Sequence, residues 1–265
     1  MVKVSVIMGA YNCASVVGRS IESIMAQSYQ DWEFIICDDC STDETCRVIH
    51  EYIDKDSRIK LIHNEKNCRL AYSLNHCLSV ATGEYIARMD ADDICLPVRL
   101  EKQVEFLDHH PEFAVVGGGV ILYDEAGDRN QLLNDEVPVV KSMKWGVPFF
   151  HPTIMMRKTV YDSLNGYVVS KRTRRGQDYD LWFRFFAAGN KGYNLQEPVL
   201  KYHDNLNDYN KKSSLSSAWG TTKTLLKGFR MNRFPFYDYP WAFIPVLKVL
   251  VPKSILYHIH KNKTK

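Results

Sequence analysis

The feature that most restricts the fold of this chain is the alternation of short apolar runs with amphipathic segments from its N-terminus to about residue 123. Parallel strands need crossover helices between them, and strands that are apolar throughout are covered on both faces. The pattern therefore predicts a doubly wound α/β domain with a mostly parallel sheet and helices on both faces. The predicted strands are VSVIM (4–8), EFIIC (33–37), RIKLI (58–62), EYIARM (84–89) and FAVVGGGVIL (113–122).

Three segments between these runs carry apolar residues at a spacing close to 3.6 residues. Each of them predicts a helix with one face turned toward the sheet. The three apolar faces consist of Val17, Ile21, Ile24 and Met25; of Val48, Ile49, Tyr52 and Ile53; and of Leu100, Val104 and Leu107.

Polar residues follow three of the predicted strands at the point where each strand ends. These segments are GAYN (9–12), DDCS (38–41) and DADD (90–93). Doubly wound sheets bind ligands outside the carboxyl ends of their strands. We therefore expect the three segments to meet at one edge and to form a binding site.

The second half of the chain has a looser pattern. Residues 124–138 look like a solvent-exposed excursion, and 149–167 suggest a strand and a short helix. Residues 171–189 suggest a basic loop and a helix that starts near Asp178 and ends at Gly189. We predict a catalytic domain over 1–210, with halves of about 1–123 and 124–210.

The C-terminal segment 211–265 differs from the rest in charge. It carries eleven Lys and Arg against one acidic residue, a net charge of +10, whereas residues 1–210 carry −7. Its apolar and aromatic residues are interrupted by lysines and by Pro245 and Pro252, so a membrane-spanning helix is not expected. A basic amphipathic helical segment on an anionic membrane surface is predicted; packing on the catalytic domain or a neighbouring subunit is the alternative. Nucleic-acid binding is disfavoured because the basic residues accompany long aliphatic runs.

The compartment is predicted from the N-terminus and the cysteines. The chain starts with one lysine and a strand-like run, without the pattern of a signal peptide. All seven cysteines lie between Cys13 and Cys95 and suit reduced thiols, mostly small buried hydrophobes, better than a disulfide framework. A cytoplasmic protein, peripheral on the inner face of the membrane, is expected.

Three carboxylates lie within four positions in the stretch ARMDADD (87–93). One explanation is structural, in which Asp93 caps a helix that begins near Pro97 and the other two are solvated. The DxD spacing of Asp90 and Asp92 also suits Mn²⁺ or Mg²⁺, either of which would keep water ligands and bridge substrate phosphates.

The second strand is followed by two adjacent aspartates and a helix-start signal. Ser41 and Glu44 fit a capping box, which explains those two residues structurally. It does not explain Asp38 and Asp39, and an aspartate at this place is able to accept hydrogen bonds from the N–H groups of a base. Tyr11 from the first strand is placed to stack on that base.

Candidate residues in the second half have competing explanations. Asp178 and Asp180 open a helix, where acidic residues are favoured by the helix dipole. The basic loop before them includes Arg174 and Arg175, a density of cations expected over phosphates or an anionic acceptor. His151 is an acceptor contact or a structural histidine, and His203 is a metal ligand or a structural histidine.

Taken as an ordered set, these motifs resemble the family 2 glycosyltransferases of the GT-A fold, inverting enzymes of bacterial polysaccharide and lipopolysaccharide assembly. The resemblance covers about residues 2–205. It implies a catalytic base at Asp178, metal ligation by Asp92, and nucleotide binding by Gly9, Tyr11, Asp39, Arg69 and Asp90. Gly9 stands where many relatives have proline, and Gln177 replaces the usual acidic neighbour of the base. The motifs are VSVIMGAYN, IICDDCSTDET, ATGEYIARMDADD, HPTIMMRK and GQDYDLWFR.

The predicted function is a metal-dependent transfer of a sugar from a nucleotide-diphosphate donor, with UDP as the expected nucleotide, to a glycan or lipid-diphosphate-linked acceptor. Two alternatives stay open. A sugar nucleotidyltransferase usually opens with a glycine-rich phosphate loop, which VIMGAYNCASVVGRS lacks. A non-catalytic subunit that binds a nucleotide or a lipid would not need both Asp92 and Asp178.

Overall fold

The computed structural model describes residues 2–204 and 214–251. Within them, nine strands form one sheet in the order β3-β2-β1-β4-β8-β6-β9-β5, with β7 paired to β6. Strands β1 to β4 are parallel to one another, β9 is parallel to β6, and β8 is antiparallel to both of its neighbours. The predicted α/β fold with a mostly parallel sheet is confirmed. The strands are β1 Val4–Ala10, β2 Trp32–Asp38, β3 Ile59–His63, β4 Tyr85–Arg88, β5 Ile94–Cys95, β6 Val115–Asp124, β7 Gly127–Leu132, β8 Met155–Arg157 and β9 Gly192–His203.

The apolar strands separate two cores on opposite faces of the sheet. In β1, Val6 and Met8 join the first core and Ile7 the second, because successive side chains of a strand point to opposite faces. Both cores are covered by helices, which is why the central strands are apolar throughout. The helices are α1 Val17–Met25, α2 Thr45–Ile53, α3 Leu70–Val80, α4 Arg99–His109, α5 Lys158–Ser163, α6 Gln177–Ala187, α7 Leu215–Met231 and α8 Ile244–Leu250.

Three local predictions differ from the structure. The excursion over 124–138 contains β7, which forms a hairpin with β6. The capping box at Ser41 does not form, because α2 begins at Thr45 and the Asp43 carboxylate accepts a hydrogen bond from the Thr45 amide (3.0 Å). Cys40 is exposed and lies in the left-handed region at φ 62°, so it is not one of the buried thiols.

The helix α7 lies against α6 and contributes to the second core. Phe229 is fully buried, and a Cβ at Gly228 would lie 2.1 Å from Phe183, so the two helices approach closely at a residue without a side chain. The start of the predicted C-terminal segment therefore packs on the α/β fold. Residues 205–213 and 252–265 lie outside the described residues, and the prediction for them stays open.

In the part of the chain that the structure describes, every helix is too short or too polar to traverse a lipid bilayer.

Candidate functional site

The loops that follow β1 and β2 are joined by hydrogen bonds at the carboxyl edge of the sheet. The backbone amide of Asn12 donates to Ser41 Oγ (3.0 Å), and the side-chain oxygen of Asn12 accepts from the Thr42 amide (2.8 Å). Asn12 has a φ of 48°, a conformation that asparagine tolerates better than most residues. These hydrogen bonds therefore hold the two loops together at the edge of the sheet, next to the point between β1 and β4 where the strand order reverses.

Asp39 is buried and holds the loop that leads into α3. Its Oδ1 accepts from the Asn64 side-chain amide and from the Cys68 backbone amide (both 2.8 Å), and its Oδ2 accepts from the Arg69 amide (2.7 Å). Arg69 has a φ of 75°, unusual for a residue with a side chain. One acceptor position on Oδ2 remains for a ligand, since each carboxylate oxygen accepts about two hydrogen bonds.

This arrangement makes Asp39 important for stability as well as for its predicted contact with a base. We expect Asp39→Ala to lower the free energy of unfolding by about 2–4 kcal/mol, because the buried Asn64 side chain and the part-buried amides of Cys68 and Arg69 lose their acceptor. Urea denaturation measures the change, and Asp54→Ala, at an exposed position, is expected to stay within about 0.5 kcal/mol of the unaltered chain. Equal stability of the two variants would contradict this role.

Gly9 and Tyr11, both predicted at the nucleotide, lie at the carboxyl end of β1 and directly after it. A Cβ at Gly9 would be 2.8 Å from Leu70 and 3.3 Å from Ser73, so the absent side chain lets α3 pack on the strand. Tyr11 is 48% exposed, and its ring is accessible for stacking. The close packing at Gly9 was not anticipated from the sequence.

Arg88 is a member of the site that sequence reasoning missed. It is buried at the end of β4, and its Nε donates to Asp90 Oδ1 at 3.0 Å, with Nη2 on the same oxygen. The sequence signal was a lone arginine inside an apolar strand directly before three carboxylates. A buried cation in this place fixes the orientation of Asp90.

Asp92 and His203 lie next to each other although 110 residues separate them. His203 pairs with Tyr123 across β9 and β6, and its Nδ1 lies 3.7 Å from Asp92 Oδ2. Asp93 is buried and accepts a hydrogen bond from the His203 amide (2.9 Å) instead of capping α4. The pairing of β9 with β6 and the hydrogen bond to Asp93 together place the His203 imidazole beside Asp92 of the DxD pair.

The electrostatics of this cluster fit a divalent cation. Burial raises the pKa of Asp92, and the nearby charge of Asp90 raises it further; the same two causes act on Asp93. One carboxylate and one imidazole suit Mn²⁺, whereas Mg²⁺ prefers oxygen ligands. The residues present therefore fit the predicted metal.

Asp178 lies in the first turn of α6, after Gly176 at φ 123°. Its Oδ1 accepts a hydrogen bond from the Tyr179 amide (2.8 Å). Burial raises the pKa of Asp178, the charge of Asp90 acts in the same direction, and the charge of Arg88 opposes both. The predicted base thus lies within electrostatic range of the residues at the end of β4.

The raised pKa of Asp178 gives a testable pH dependence. A base has to be ionised, so the rate should fall as the pH falls through this pKa, and the fall should begin above the ordinary aspartate value of about 4. The pH profile of kcat measures it, with circular dichroism at each pH as the control for unfolding. A rate that stays constant down to about pH 4 would contradict the assignment.

The basic loop before Asp178 divides into buried and exposed parts. Arg172 donates to Asp180 (2.6 Å) and to Thr224 on α7 (3.0 Å), and Arg184 also pairs with Asp180 (2.7 Å). Asp180 therefore holds the loop and α6 together. Arg174 and Arg175 are exposed, as a phosphate or acceptor contact requires.

His151 lies in the interior beneath the site. Its Nε2 is 3.0 Å from the Tyr167 hydroxyl, and its ring lies edge-on to Trp182 with centroids 5.4 Å apart. Burial lowers its pKa well below the ordinary value, and the charge of Arg88 adds to the effect, so His151 is neutral. Its place in this network matches the structural alternative, and a direct acceptor contact stays a prediction.

Comparison with known proteins decides the family. The model of the family described as "Glycosyl transferase family 2" matches residues 5–164, more than half of the chain. The chain belongs to glycosyltransferase family 2. The predicted family and enzyme class are confirmed.

Two curated relatives of this family 2 chain have informative names. "Putative glycosyltransferase EpsE" of Bacillus subtilis (strain 168) is 47% identical over 262 residues, which cover 98% of this chain and 94% of the relative. "UDP-Glc:alpha-D-GlcNAc-diphosphoundecaprenol beta-1,3-glucosyltransferase WfaP" of Escherichia coli is 29% identical over 192 residues, 72% of this chain and 73% of the relative.

Solved structures of two glycosyltransferases share the fold. S. aureus TarS 1–349 in complex with UDP-GlcNAc has a TM-score of 0.72 at 17% identity, covering 92% of this chain and 71% of that one. The mannosyltransferase PcManGT from Pyrobaculum calidifontis, in complex with GDP-Man and Mn²⁺, has a TM-score of 0.65 at 17% identity. The match covers 98% of this chain and 80% of that one. The GT-A fold expected from the sequence is confirmed.

Proposed function

We propose that this family 2 glycosyltransferase transfers a sugar from a nucleoside-diphosphate donor, UDP being the preferred nucleotide, with inversion and with a divalent cation. The observation that carries the proposal is the convergence of Asp90, Asp92 and His203 at the edge of the sheet, within electrostatic range of Asp178. One structural neighbour was solved with UDP-GlcNAc and another with GDP-Man and Mn²⁺, which supports a donor of this class.

The donor nucleotide is assigned to the loops after β1 and β2. Asp39 has an acceptor position for an N–H of the base, and the exposed ring of Tyr11 offers a stacking surface. Asp90, oriented by Arg88, is placed for the ribose or for a water on the metal. Arg69 is exposed at the start of α3, where its charge favours the nucleotide anion.

Asp92 and His203 would hold the cation against the donor diphosphate. When bound, the cation would neutralise the negative charge that develops as the diphosphate leaves. Asp178 accepts the proton of the acceptor hydroxyl, whose oxygen attacks the anomeric carbon while the bond to the diphosphate breaks. One displacement from the opposite face inverts that carbon, so a single base is sufficient.

The acceptor is proposed to be a glycan or a saccharide on a lipid diphosphate, in the assembly of a bacterial surface polysaccharide. The WfaP name specifies a diphosphoundecaprenol acceptor for that relative, which supports this class. Phe236 (90% exposed), Tyr237 (78%) and Leu247 (56%) are exposed apolar groups near the end of the described residues, and Lys248, the residue after Leu247, is an exposed cation. These groups suit peripheral contact with an anionic membrane surface, the proposed location of such an acceptor.

The experiment that tests the proposal is a product assay with a panel of UDP-, GDP- and dTDP-sugars, Mn²⁺, and saccharide diphosphate lipids as acceptors. Formation of an elongated lipid together with a free nucleoside diphosphate is the expected result, and EDTA should abolish it. A parallel assay with UTP and a sugar 1-phosphate tests the alternative, since release of pyrophosphate with formation of a nucleotide-sugar would instead show a nucleotidyltransferase.

A further inference from the structure

An amphiphilic cleft lies beside the helix that carries Asp178. It has a volume of about 340 Å³ and lies between the turn Val140–Lys144, the start of α6, and the helices α7 and α8. Its apolar lining includes Met143, Leu225 and Ile244. The volume is in the range of pockets that bind small molecules.

Two tryptophans form an exposed aromatic wall of this cleft. Trp145 is 66% exposed and Trp241 is 40% exposed, and their ring centroids are 4.5 Å apart at an interplanar angle of 63°. Large aromatic side chains that stay in water next to one another mark interaction sites more often than random surface. The cleft therefore offers an unfilled apolar surface.

The charged residues of the cleft are cations. Lys144 is held by Asp238 (2.8 Å), whereas Arg175 and Lys248 are exposed. Among the described residues that line the cleft, none is acidic. An arginine and a lysine beside an apolar wall complement a ligand with a phosphate group and a hydrocarbon chain.

The cleft is fixed relative to the base. Tyr179, the residue after Asp178, lines it, and the backbone carbonyl of Arg175 accepts a hydrogen bond from Thr221 Oγ1 on α7 (2.9 Å). The loop that carries Arg175 is thereby attached to α7 at one end and leads directly into the first turn of α6. An anion on Arg175 would lie close to the catalytic end of α6.

We propose that this cleft binds the prenyl diphosphate part of a lipid-linked acceptor, with the diphosphate on Arg175 and Lys248 and the first isoprene units against Trp145 and Trp241. The inference rests on the proposed function and names where its acceptor is held. It assigns a role to the C-terminal helices, which the match to the family over residues 5–164 does not reach.

The experiment uses geranyl diphosphate as the probe, with inorganic pyrophosphate and geraniol as the two halves of that ligand. Calorimetric titrations into the full chain are made in EDTA, so that no metal recruits a diphosphate to the donor site. Geranyl diphosphate should bind at least about tenfold more tightly than either half, because both the anion and the prenyl group contribute.

Variants separate the two contributions. The double variant Arg175→Gln, Lys248→Gln should weaken geranyl diphosphate binding about tenfold or more. A matched control, Lys55→Gln with Lys191→Gln, removes two exposed cations elsewhere and should change nothing. Trp145→Ala should weaken the binding of geranyl diphosphate but not that of pyrophosphate.

Two results would overturn the inference: geranyl diphosphate that binds no better than pyrophosphate, or equal losses in the double variant and its control. A titration of UDP with Mn²⁺ on the same preparations tells this failure from failure of the proposed function. If UDP still binds but geranyl diphosphate does not, the proposal for the cleft is refuted and the proposed function is not.

Discussion

Replacement of Asp178 by asparagine is expected to lower kcat by about 10²–10⁴-fold, the usual contribution of a positioned base, while the affinity for UDP stays within about twofold. Asparagine has the same shape, and its side-chain oxygen is able to keep the hydrogen bond from the Tyr179 amide. The loss should therefore come from chemistry and not from a changed fold. Initial rates and a UDP titration on the same preparation measure the two quantities.

The control for this substitution is Asp162→Asn, which removes an exposed carboxylate from α5, where it pairs with Lys158. Its rate should equal that of the unaltered chain. A kcat for Asp178→Asn within about tenfold of the unaltered value would assign the base to another residue. Joint loss of turnover and UDP binding would point to a structural role.

Replacement of Asp92 by asparagine is expected to lower the rate by at least about 10²-fold and to raise the Mn²⁺ concentration needed for half-maximal activity. The substitution keeps the size of the side chain but removes the charge that faces His203 at 3.7 Å. Because the Asp92 side chain is half exposed, thermal unfolding should change little. Rates measured over a Mn²⁺ series give both effects.

Asp135→Asn, at an exposed carboxylate in the loop after β7, is the matched control and should leave the Mn²⁺ dependence unchanged. An unaltered Mn²⁺ dependence in Asp92→Asn would remove Asp92 from the metal site. Equal loss in both variants would indicate a general effect of charge and not ligation.

The strands β1 to β4 and β6, and the edge of the sheet, were predictable because apolar runs end abruptly at polar residues. GAYN, DDCS and DADD each follow such a run, and parallel strands place these ends together. The helix α3 was not predicted, since LAYSLNHCLSV mixes small and polar residues and has a weak amphipathic period. The strand β7 was missed because GDRNQL is polar on both faces.

Contacts between distant residues limited what the sequence could reveal about the site. The three hydrogen bonds to Asp39 come from a loop without a motif, and the pairing of His203 with Asp92 depends on the register of β9. Arg88 carried a signal, a cation in an apolar strand, but its partner depends on side-chain geometry. The cleft at Trp145 and Trp241 is lined by segments that are far apart in the chain, among them α6, α7 and α8.

A calorimetric titration of UDP and GDP into the full chain, with and without Mn²⁺ and repeated on Asp92→Asn, tests whether the carboxylates after β4 hold a cation for the donor. UDP binding is expected to depend on Mn²⁺ and to lose that dependence in the variant. Absence of nucleotide binding with any metal would contradict it. The carboxylates after β4 would then have only a structural role, through the contacts with Arg88 and the His203 amide, and a non-catalytic binding role would replace glycosyl transfer.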